Sequence, residues 1–569
     1  MMFRSPRKPP VDFEEILLDS SNLPSFDTRK VEGKREVPIT ERSIVAVGLM
    51  FVLITAVFTW RLFELQVIAG QEYREHSERN KLNEAVIIAE RGVILDRNGE
   101  MLAWNEIDDD SEHDFAVRAY TDRQGLGQLI GYVSYPKKDR SGFYFRTEYI
   151  GRSGVEESFN EQLSGDNGVQ LVEVNAIGEV ISSSITSDAT PGEPVRLSID
   201  AQLSEAMHDI IATSSAAAGF EGGAGAIMDL STGELIAMAS FPSFDPEVMA
   251  DADQIDIIDQ YNADPRRPFL NKVIGGVYTP GSVVKPFLVY AALAEGVIVP
   301  STEIVSTGEI IIPNPYTPSQ PARFTDWRPH GRMDAREALA FSSNVYMYYI
   351  SGGYGDQAGI GITAMNEYFD RFGFGQSTGM TLIGEQAGVV PSPAWKQEVF
   401  NDDWRLGDTY NTSIGQFGWQ LPPIQLLRAY GALATGGTMW TPHVLKDTVG
   451  ESETIELDPD TLAVIHEAMH MTTNYPGGTA RGLEKPYVTV AAKSGTAEVG
   501  PNNSLVHSWA AGWWPYEEPE YAFILMMERA PRDNTLGATT IMGQIVDWIH
   551  EHAPQYLPEV VSEETDQGS

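Results

Sequence analysis

Ser282 and Lys285 stand three residues apart in YTPGSVVKPF, Tyr278 to Phe287. A serine hydroxyl is a weak nucleophile at its own pKa and needs a base beside it. On a helix, residues i and i+3 share a face, so Lys285 can reach the Ser282 hydroxyl. A lysine kept partly neutral by burial and nearby positive charge can take that proton. Pro280-Gly281 turns the chain ahead of the serine. Pro286 fits because it falls in the first helical turn, where few backbone N–H groups have helical partners. The bland alternative is a capping serine with a surface lysine, and this pair alone does not separate the two.

Two later segments change the balance. FSSNVYMYY places Ser342, Ser343 and Asn344 at the end of a helix-like stretch, and KSGTAE, Lys493 to Glu498, lies on a predicted strand. The order Ser-x-x-Lys, Ser-x-Asn, Lys-Ser-Gly-Thr is the serine acyl-transferase set of penicillin-binding proteins and class A β-lactamases. Each piece has a task in acyl transfer. Ser342 relays a proton between Lys285 and a leaving amine, and Asn344 offers an amide to the substrate backbone. Lys493 supplies positive field for a substrate carboxylate and holds down the Lys285 pKa by like-charge repulsion. Ser494 and Thr496 offer hydroxyls to that carboxylate, and Gly495 lets the acyl donor approach the strand. Backbone N–H groups of Ser282 and Thr496 make the expected oxyanion hole.

The elements that must position these residues follow from pattern. RGVILDRNGEMLAW, Arg91 to Trp104, reads as strand, Asn-Gly turn, strand. GRSGVEESFNEQLSGDNG has Ser153 and Glu156 at capping-box spacing ahead of a short helix. AQLSEAMHDIIATSSAAA is a helix, and GGAGAIMDLSTGELIAMASFPSF is a hairpin about Ser231-Thr232-Gly233. YVTVAAKSGTAEVG and the HSWAAGWWP and EYAFILMMER runs are strands, and TIMGQIVDWIHEHA is a final amphipathic helix.

Bulk properties exclude several classes. The chain has 569 residues, a formal net charge of -40 and no cysteine. Such acidity rules against a sequence-independent grip on nucleic acid, and the missing thiols rule out a disulfide, a thiolate nucleophile or a Cys-ligated zinc. SIVAVGLMFVLITAVFTW, Ser43 to Trp60, carries no charged residue. As a helix it spans ~27 Å, near the thickness of a hydrocarbon core. Arg29, Lys30, Lys34, Arg35 and Arg42 precede it and favour a cytoplasmic N-terminus. The expected organisation is a disordered tail at 1–42, a transmembrane helix at 43–60, a β-rich module at 61–192, a large α+β domain at 193–553 and an acidic tail at 554–569.

On these motifs the sequence resembles a class B penicillin-binding protein, most like the elongation-type penicillin-binding protein 2 family. RGVILDRNGEMLA and GRSGVEESFNEQLSGDNG resemble the signatures of that family's non-catalytic pedestal, a dimerisation-type domain. GAIMDLSTGELIAMASFPSFDP and GGTA, Gly477 to Ala480, fit as well. The resemblance implies an α+β acyl-transferase fold, a central antiparallel sheet flanked by helices. It implies a peptidoglycan D,D-transpeptidase working through a Ser282 acyl-enzyme on stem peptides, acylated by β-lactams. No metal and no cofactor are expected. The partners it implies are a SEDS-family, RodA-type glycosyltransferase, cell-shape scaffold proteins and the membrane. A D,D-carboxypeptidase shares the same acyl-enzyme and stays open, as does a non-catalytic membrane sensor or scaffold.

Three departures stand out. The stretch from Leu102 to Gly151 is short for the family, so a reduced pedestal head is expected. Phe417 occupies a position in GQFGWQLPPIQL where the family usually has glycine. FTDWRPHGRMDA resembles a segment that in some relatives holds a metal with the help of a cysteine; here Asp326 and His330 remain, too few for a four-ligand site. His507 is expected to be structural.

Overall fold

The computed structural model describes residues 41–70, 82–107, 114–140, 144–174, 180–314, 317 and 319–558. The chain divides into two compact units, residues 1–83 with 173–182, and residues 84–172 with 183–569. Residues 1–40 of the tail expected at 1–42, most of the Asp108–Asp114 acidic loop, and residues 559–569 of the tail expected at 554–569 lie outside the described residues.

In the first unit, α1 (Glu41–Phe63) runs into a π-helical turn at Glu64–Ile68. It is longer than the uncharged run at both ends. Phe51, Val52, Phe58 and Trp60 are all exposed. A helix apolar on every face belongs in a core or in lipid, and none of its residues is buried. Thr55 and Thr59 return their hydroxyls to the carbonyls one turn earlier, at 2.8 and 2.7 Å, so neither polar group is left without a partner.

The second unit begins with a small mixed sheet. Strands β1 (Ile94–Leu95), β2 (Met101–Glu106) and β3 (Val117–Tyr120) are antiparallel, and β4 (Val195–Arg196) pairs with β1 in parallel. The predicted Asn-Gly turn joins β1 to β2. The Asp96 carboxylate accepts from Asn98 N and Glu100 N, both at 2.8 Å, which fixes that turn.

The capping box expected at Ser153 does not form. The short helix Gly154–Ser158 starts there without a side-chain cap bond. Glu156 turns inward instead, accepting from Arg91 Nε at 2.5 Å and Arg118 Nε at 2.8 Å, with all three side chains fully buried. Arg91 also donates to Glu156 O and Asn160 Oδ1, and Arg118 to Gly92 O and Asn105 Oδ1. A desolvated carboxylate between two guanidiniums is a stronger partner than one exposed backbone N–H, so the long-range triad wins over the local cap.

The larger part is built on a five-stranded antiparallel sheet. Its strands are β5 (Gly222–Asp229), β6 (Leu235–Phe241), β7 (Ala491–Val499), β8 (Leu505–Trp514) and β9 (Tyr521–Pro531), in the spatial order β6–β5–β9–β8–β7. Side chains alternate across a strand, and β9 shows it. Ala522, Ile524 and Met526 enter one core; Phe523, Leu525 and Met527 enter another. Helices α2 (Ala201–Ala218) and α8 (Ala538–His552) cover the second face through Leu203, Met207, Ile211, Ile541, Ile545 and Ile549. The first face packs on an all-helical layer containing α3 (Lys285–Ala294), α4 (Ala335–Ala340), α5 (Asn344–Gly352), α6 (Pro423–Thr435) and α7 (Pro459–Asn474). Packing continues past residue 553: Tyr556 and Leu557 are buried, and Tyr556 donates to Asp200 Oδ2 at 2.8 Å.

The triad generates the first prediction. Replacing Glu156 by Ala leaves two buried guanidiniums without their shared acid, which costs about 3–5 kcal/mol. Denaturant unfolding of the purified full chain, followed by tryptophan fluorescence, should show it. A loss under about 1 kcal/mol would mean that water reaches the triad.

Candidate active site

Ser282 lies in a 3₁₀ turn, Gly281–Val284, that leads directly into α3. In a 3₁₀ turn residues i and i+3 eclipse, which puts Ser282 and Lys285 on one side, as the spacing predicts. The turn is clamped from three directions. Gly281 N donates to Gly415 O at 3.0 Å, and Tyr278 exchanges two hydrogen bonds with Leu421. Tyr430, buried on α6, donates its hydroxyl to Val283 O at 2.7 Å. Gly281 has φ +61°, and a Cβ there would stand 2.7 Å from Thr496 O. Only glycine lets the serine's turn press against β7 in that backbone conformation.

Ser342 and Ser343 connect α4 to α5. Ser342 has φ +56°, an uncommon conformation for a residue with a side chain, and one that concentrates at functional sites. The turn is retained because Ser342 N and Ser343 N donate to Leu339 O and Ala338 O. Ser343 caps α5 by accepting from Tyr346 N at 3.3 Å.

The three motifs meet at the Ser342 hydroxyl. Lys285 Nζ donates to Asn344 Oδ1 at 2.6 Å and to Ser342 O at 2.8 Å, and lies 3.4 Å from Ser342 Oγ. Lys493 Nζ donates to Ser342 Oγ at 2.8 Å and to Ser494 O at 2.9 Å. Both lysines are fully buried. Burial pushes the Lys285 amine down to about 7, against an upward pull from the Asp326 carboxylate. Burial first, and then the charge of Lys285, push Lys493 well below the ordinary lysine range. The expected repulsion between the two lysines is present, but it weighs on Lys493; for Lys285 dehydration is the larger cause. A neutral amine has two N–H groups and a lone pair. Lys285 can satisfy Asn344 and the Ser342 carbonyl with the first two and keep the lone pair for a hydroxyl proton.

Ser282 Oγ opens into the cleft and makes no hydrogen bond to Lys285, whose amine is drawn toward Ser342 and Asn344. Catalytic hydrogen bonds are often long in a free enzyme and tighten on substrate. The Asn344 amide is partly engaged, since Nδ2 donates to Thr325 O at 3.3 Å. One of its N–H groups remains for a substrate carbonyl.

Ser282, Ser342 and Asn344 line a cleft of about 800 Å³ with Phe324, Trp327, Phe417, Ser494, Gly495, Thr496 and Trp509. Lys493, Gly495 and Ala497 are buried and Thr496 is exposed, so the edge strand β7 alternates between core and cleft. Four residues matter that the sequence reading left without a site role. Thr479 accepts from Ser494 Oγ at 2.7 Å and ties the GGTA segment to the KSGT strand. With its amide turned so that the oxygen faces Glu498 N, Gln416 pairs with the backbone of Glu498, donating to its O at 3.3 Å and accepting from its N at 2.9 Å. Phe417 has φ +61°, and its ring sits edge-on to Trp395 and Trp404 at 5.8 and 5.7 Å, with Lys396 Nζ 5.7 Å from its centre. An aromatic cage thus holds a bulky residue where a glycine would be free of strain. The fourth is Asp326. It faces His330 at 3.5 Å, and among the described residues no group of three or more His, Asp or Glu is placed to hold a metal ion. His507 is buried on β8, pushed down to about 4 by burial, and accepts from Arg529 N at 3.2 Å.

Comparison with known proteins places these observations. Residues 223–547 match the family model of the penicillin binding protein transpeptidase domain, and residues 113–197 that of the penicillin-binding protein dimerisation domain. The peptidoglycan D,D-transpeptidase MrdA of Escherichia coli K12 is 28% identical, covering 89% of this chain and 94% of its own length. The complex of penicillin-binding protein PBP2 with MreC from Helicobacter pylori gives a TM-score of 0.68 at 24% identity, over 83% of this chain and 99% of that one. A structure of a peptidoglycan synthase complex that coordinates polymerisation and crosslinking gives 0.68 at 25% identity, over 92% and 99%.

The Lys285 environment carries a prediction. If its neutral form is the base, acylation by a β-lactam rises about tenfold per pH unit below 7 and levels off above about 8, given an amine pKa of about 7. Lys285→Ala lowers the plateau by about 10²–10⁴ with an unchanged melting temperature. Stopped-flow or quenched acylation kinetics from pH 5 to 9 read both; a flat profile with wild-type rates in the variant removes Lys285 from the mechanism.

Proposed function

The chain belongs to the penicillin-binding protein transpeptidase family, and from that premise we propose that it is a membrane-anchored peptidoglycan D,D-transpeptidase of cell-wall elongation. The observation that carries this reading is the convergence of Lys285 and Lys493 on the Ser342 hydroxyl, in the cleft that Ser282 lines. The long MrdA likeness and the synthase-complex likeness support the elongation role.

In this reading Lys285 takes the Ser282 proton as Oγ attacks the carbonyl carbon of the penultimate D-alanine in a stem pentapeptide. The backbone N–H groups of Ser282 and Thr496 hold the oxyanion, a contribution of ~3–4 kcal/mol each. The C–N bond then breaks, and the proton passes from Lys285 through Ser342 to the departing D-alanine amine. An amine of a neighbouring stem attacks the Ser282 ester, returns its proton along the same route and frees the serine. Lys493, Ser494 and Thr496 bind the terminal carboxylate, Asn344 the substrate backbone, and Gly495 gives room for the donor against β7. β-Lactams carry a carboxylate at the matching place and acylate the same serine.

The N-terminus lies in the cytoplasm, α1 crosses the membrane, and the larger unit works outside. The basic cluster from Arg29 to Arg42 supports this orientation. A RodA-type SEDS glycosyltransferase supplies the glycan, and a scaffold protein of the MreC kind regulates the pair. The PBP2–MreC complex and the synthase complex among the similar structures support both partners.

Two experiments test the reading. A fluorescent penicillin should add one adduct to the intact protein, at Ser282, and Ser282→Ala should carry none; an adduct that survives the substitution places the nucleophile elsewhere. Lipid-linked substrate with an added polymerase should give cross-linked dimers, whereas trimmed tetrapeptides alone would make the protein a D,D-carboxypeptidase. Separately, protease added to spheroplasts should digest the chain beyond residue 70 and spare the N-terminal tail, and protection of the large unit would reverse the topology.

A further inference from the structure

Asp326 immediately follows the strand pair Glu309–Ile312 with Ala322–Thr325, at the rim of the cleft. Its side chain is fully buried. The carboxylate accepts from Ser343 Oγ at 2.6 Å, Asn344 N at 3.0 Å and Val345 N at 3.0 Å. It also accepts from Ser306 Oγ at 3.3 Å and Trp327 N at 3.0 Å. Its own N–H donates to Gly308 O at 2.8 Å, which ties it to the strand pair. A buried carboxylate at the first turn of α5 answers N–H groups that no helical carbonyl reaches, and its charge suits the positive end of the helix dipole. The neighbouring Thr325 carbonyl orients the Asn344 amide.

From this geometry we propose that Asp326 is a positioning residue for the acyl-transfer site: it fixes the Ser342-Ser343-Asn344 turn from outside the three motifs and places one negative charge near the Lys285 amine, beyond ion-pair distance. The proposal rests on Ser282 acylation as read above.

The position joins two effects that usually belong to different residues. The first is geometric. Ser342 is held at positive φ, and its hydroxyl must meet two lysines at once; bonds from one carboxylate to the next three residues keep the turn from relaxing. The second is electrostatic. Burial raises the Asp326 carboxyl, but the bonds from Asn344, Ser343 and Val345, with the charge of Lys285, outweigh it and hold the group below the ordinary carboxylate range. Asp326 therefore stays ionised and lifts the Lys285 amine against the stronger effect of burial. The other charged or titratable groups that face this pair are Lys493 on β7, Tyr348 on α5, whose hydroxyl burial and the Asp326 charge keep protonated, and His330 with Arg328 beside Asp326. Burial pushes His330 down, which disfavours a cation beside the carboxylate.

The two effects give opposite signatures on the pH profile. Asp326→Asn keeps the shape and one acceptor but removes the charge. Lys285 then deprotonates more easily, and the rising limb of acylation moves to lower pH by about half to one unit. The plateau falls by about tenfold or more, because a displaced Ser342 or Asn344 is felt directly in the rate. A merely structural role would lower the plateau with the limb in place. Water entering a loosened site would move the limb to higher pH, since hydration favours the ammonium form. Ser343→Ala and Ser343→Thr complete the set. The alanine removes the shortest bond to Asp326 and should lower the plateau several-fold without moving the limb, and the threonine should restore it. These two variants decide the positioning role even if Asp326→Asn does not fold. A limb unmoved or raised in Asp326→Asn overturns the electrostatic half of the inference, and wild-type rates in Ser343→Ala overturn the geometric half. Wild-type protein assayed alongside keeps the two readings apart: absent labelling of Ser282 there overturns the proposed function, whereas normal labelling with unmoved variants overturns only the role of Asp326.

Discussion

Two ammonium groups cannot both stay charged around one buried hydroxyl, and the catalytic unit is organised around that constraint. Lys285 arrives from the start of a helix, Lys493 from an edge strand, and both end at Ser342. Burial removes the water that would stabilise either charge, so their amines are pushed down from the ordinary lysine range. What remains is one weakened base, Lys285, and a second buried amine, Lys493, on either side of a hydroxyl, a ready path for a proton. A site open to solvent would leave both lysines protonated and the serine inert.

Such a site has to be held together, because nothing about two adjacent lysines favours closeness. The support comes from groups that do no chemistry. Tyr430 bonds the Ser282 turn from behind, Gly281 and Gly415 allow backbone to press on backbone, and α3 is anchored by Phe287 among Phe372, Phe374 and Tyr430. The strained φ of Ser342 belongs to the same account. Strain of ~1–3 kcal/mol at such a residue persists only where its surroundings over-determine it, and here they include backbone bonds on one side and a carboxylate on the other.

Much of this was legible in the sequence, and the reason is local. The Ser-x-x-Lys pair reads because i and i+3 meet in any helical turn. The strands of the central sheet read because alternation is a property of the strand alone. The Asn-Gly hairpin at Asn98 needs only two residues to declare itself. What was not legible depends on residues far apart in the chain. Glu156 sits at capping distance from Ser153, yet Arg91, 65 residues away, claims it. Asp326 reads as half of an incomplete metal site, and its partnership with Ser343 and Asn344 appears only when the strand before it is laid beside α5. Phe417 reads as a misplaced glycine position; the two tryptophans that stabilise its ring come from other segments. The distance between Ser282 and Lys285 was also expected too simply, since spacing describes a face and not the competition of Asn344 for the amine.

The Gln416 contact has a consequence for length. β7 is the last strand of its sheet, so one edge carries main-chain donors and acceptors that meet no further strand among the described residues. With the Gln416 oxygen turned to Glu498 N, that edge is closed at Glu498, because a side-chain amide imitates a peptide group and takes both its N–H and its carbonyl. Between that stop and Lys493 lie about four residues, roughly 13 Å at the rise of a strand. The edge is therefore a ruler. An extended chain laid along it meets main-chain partners over only a few residues before Gln416 takes their place.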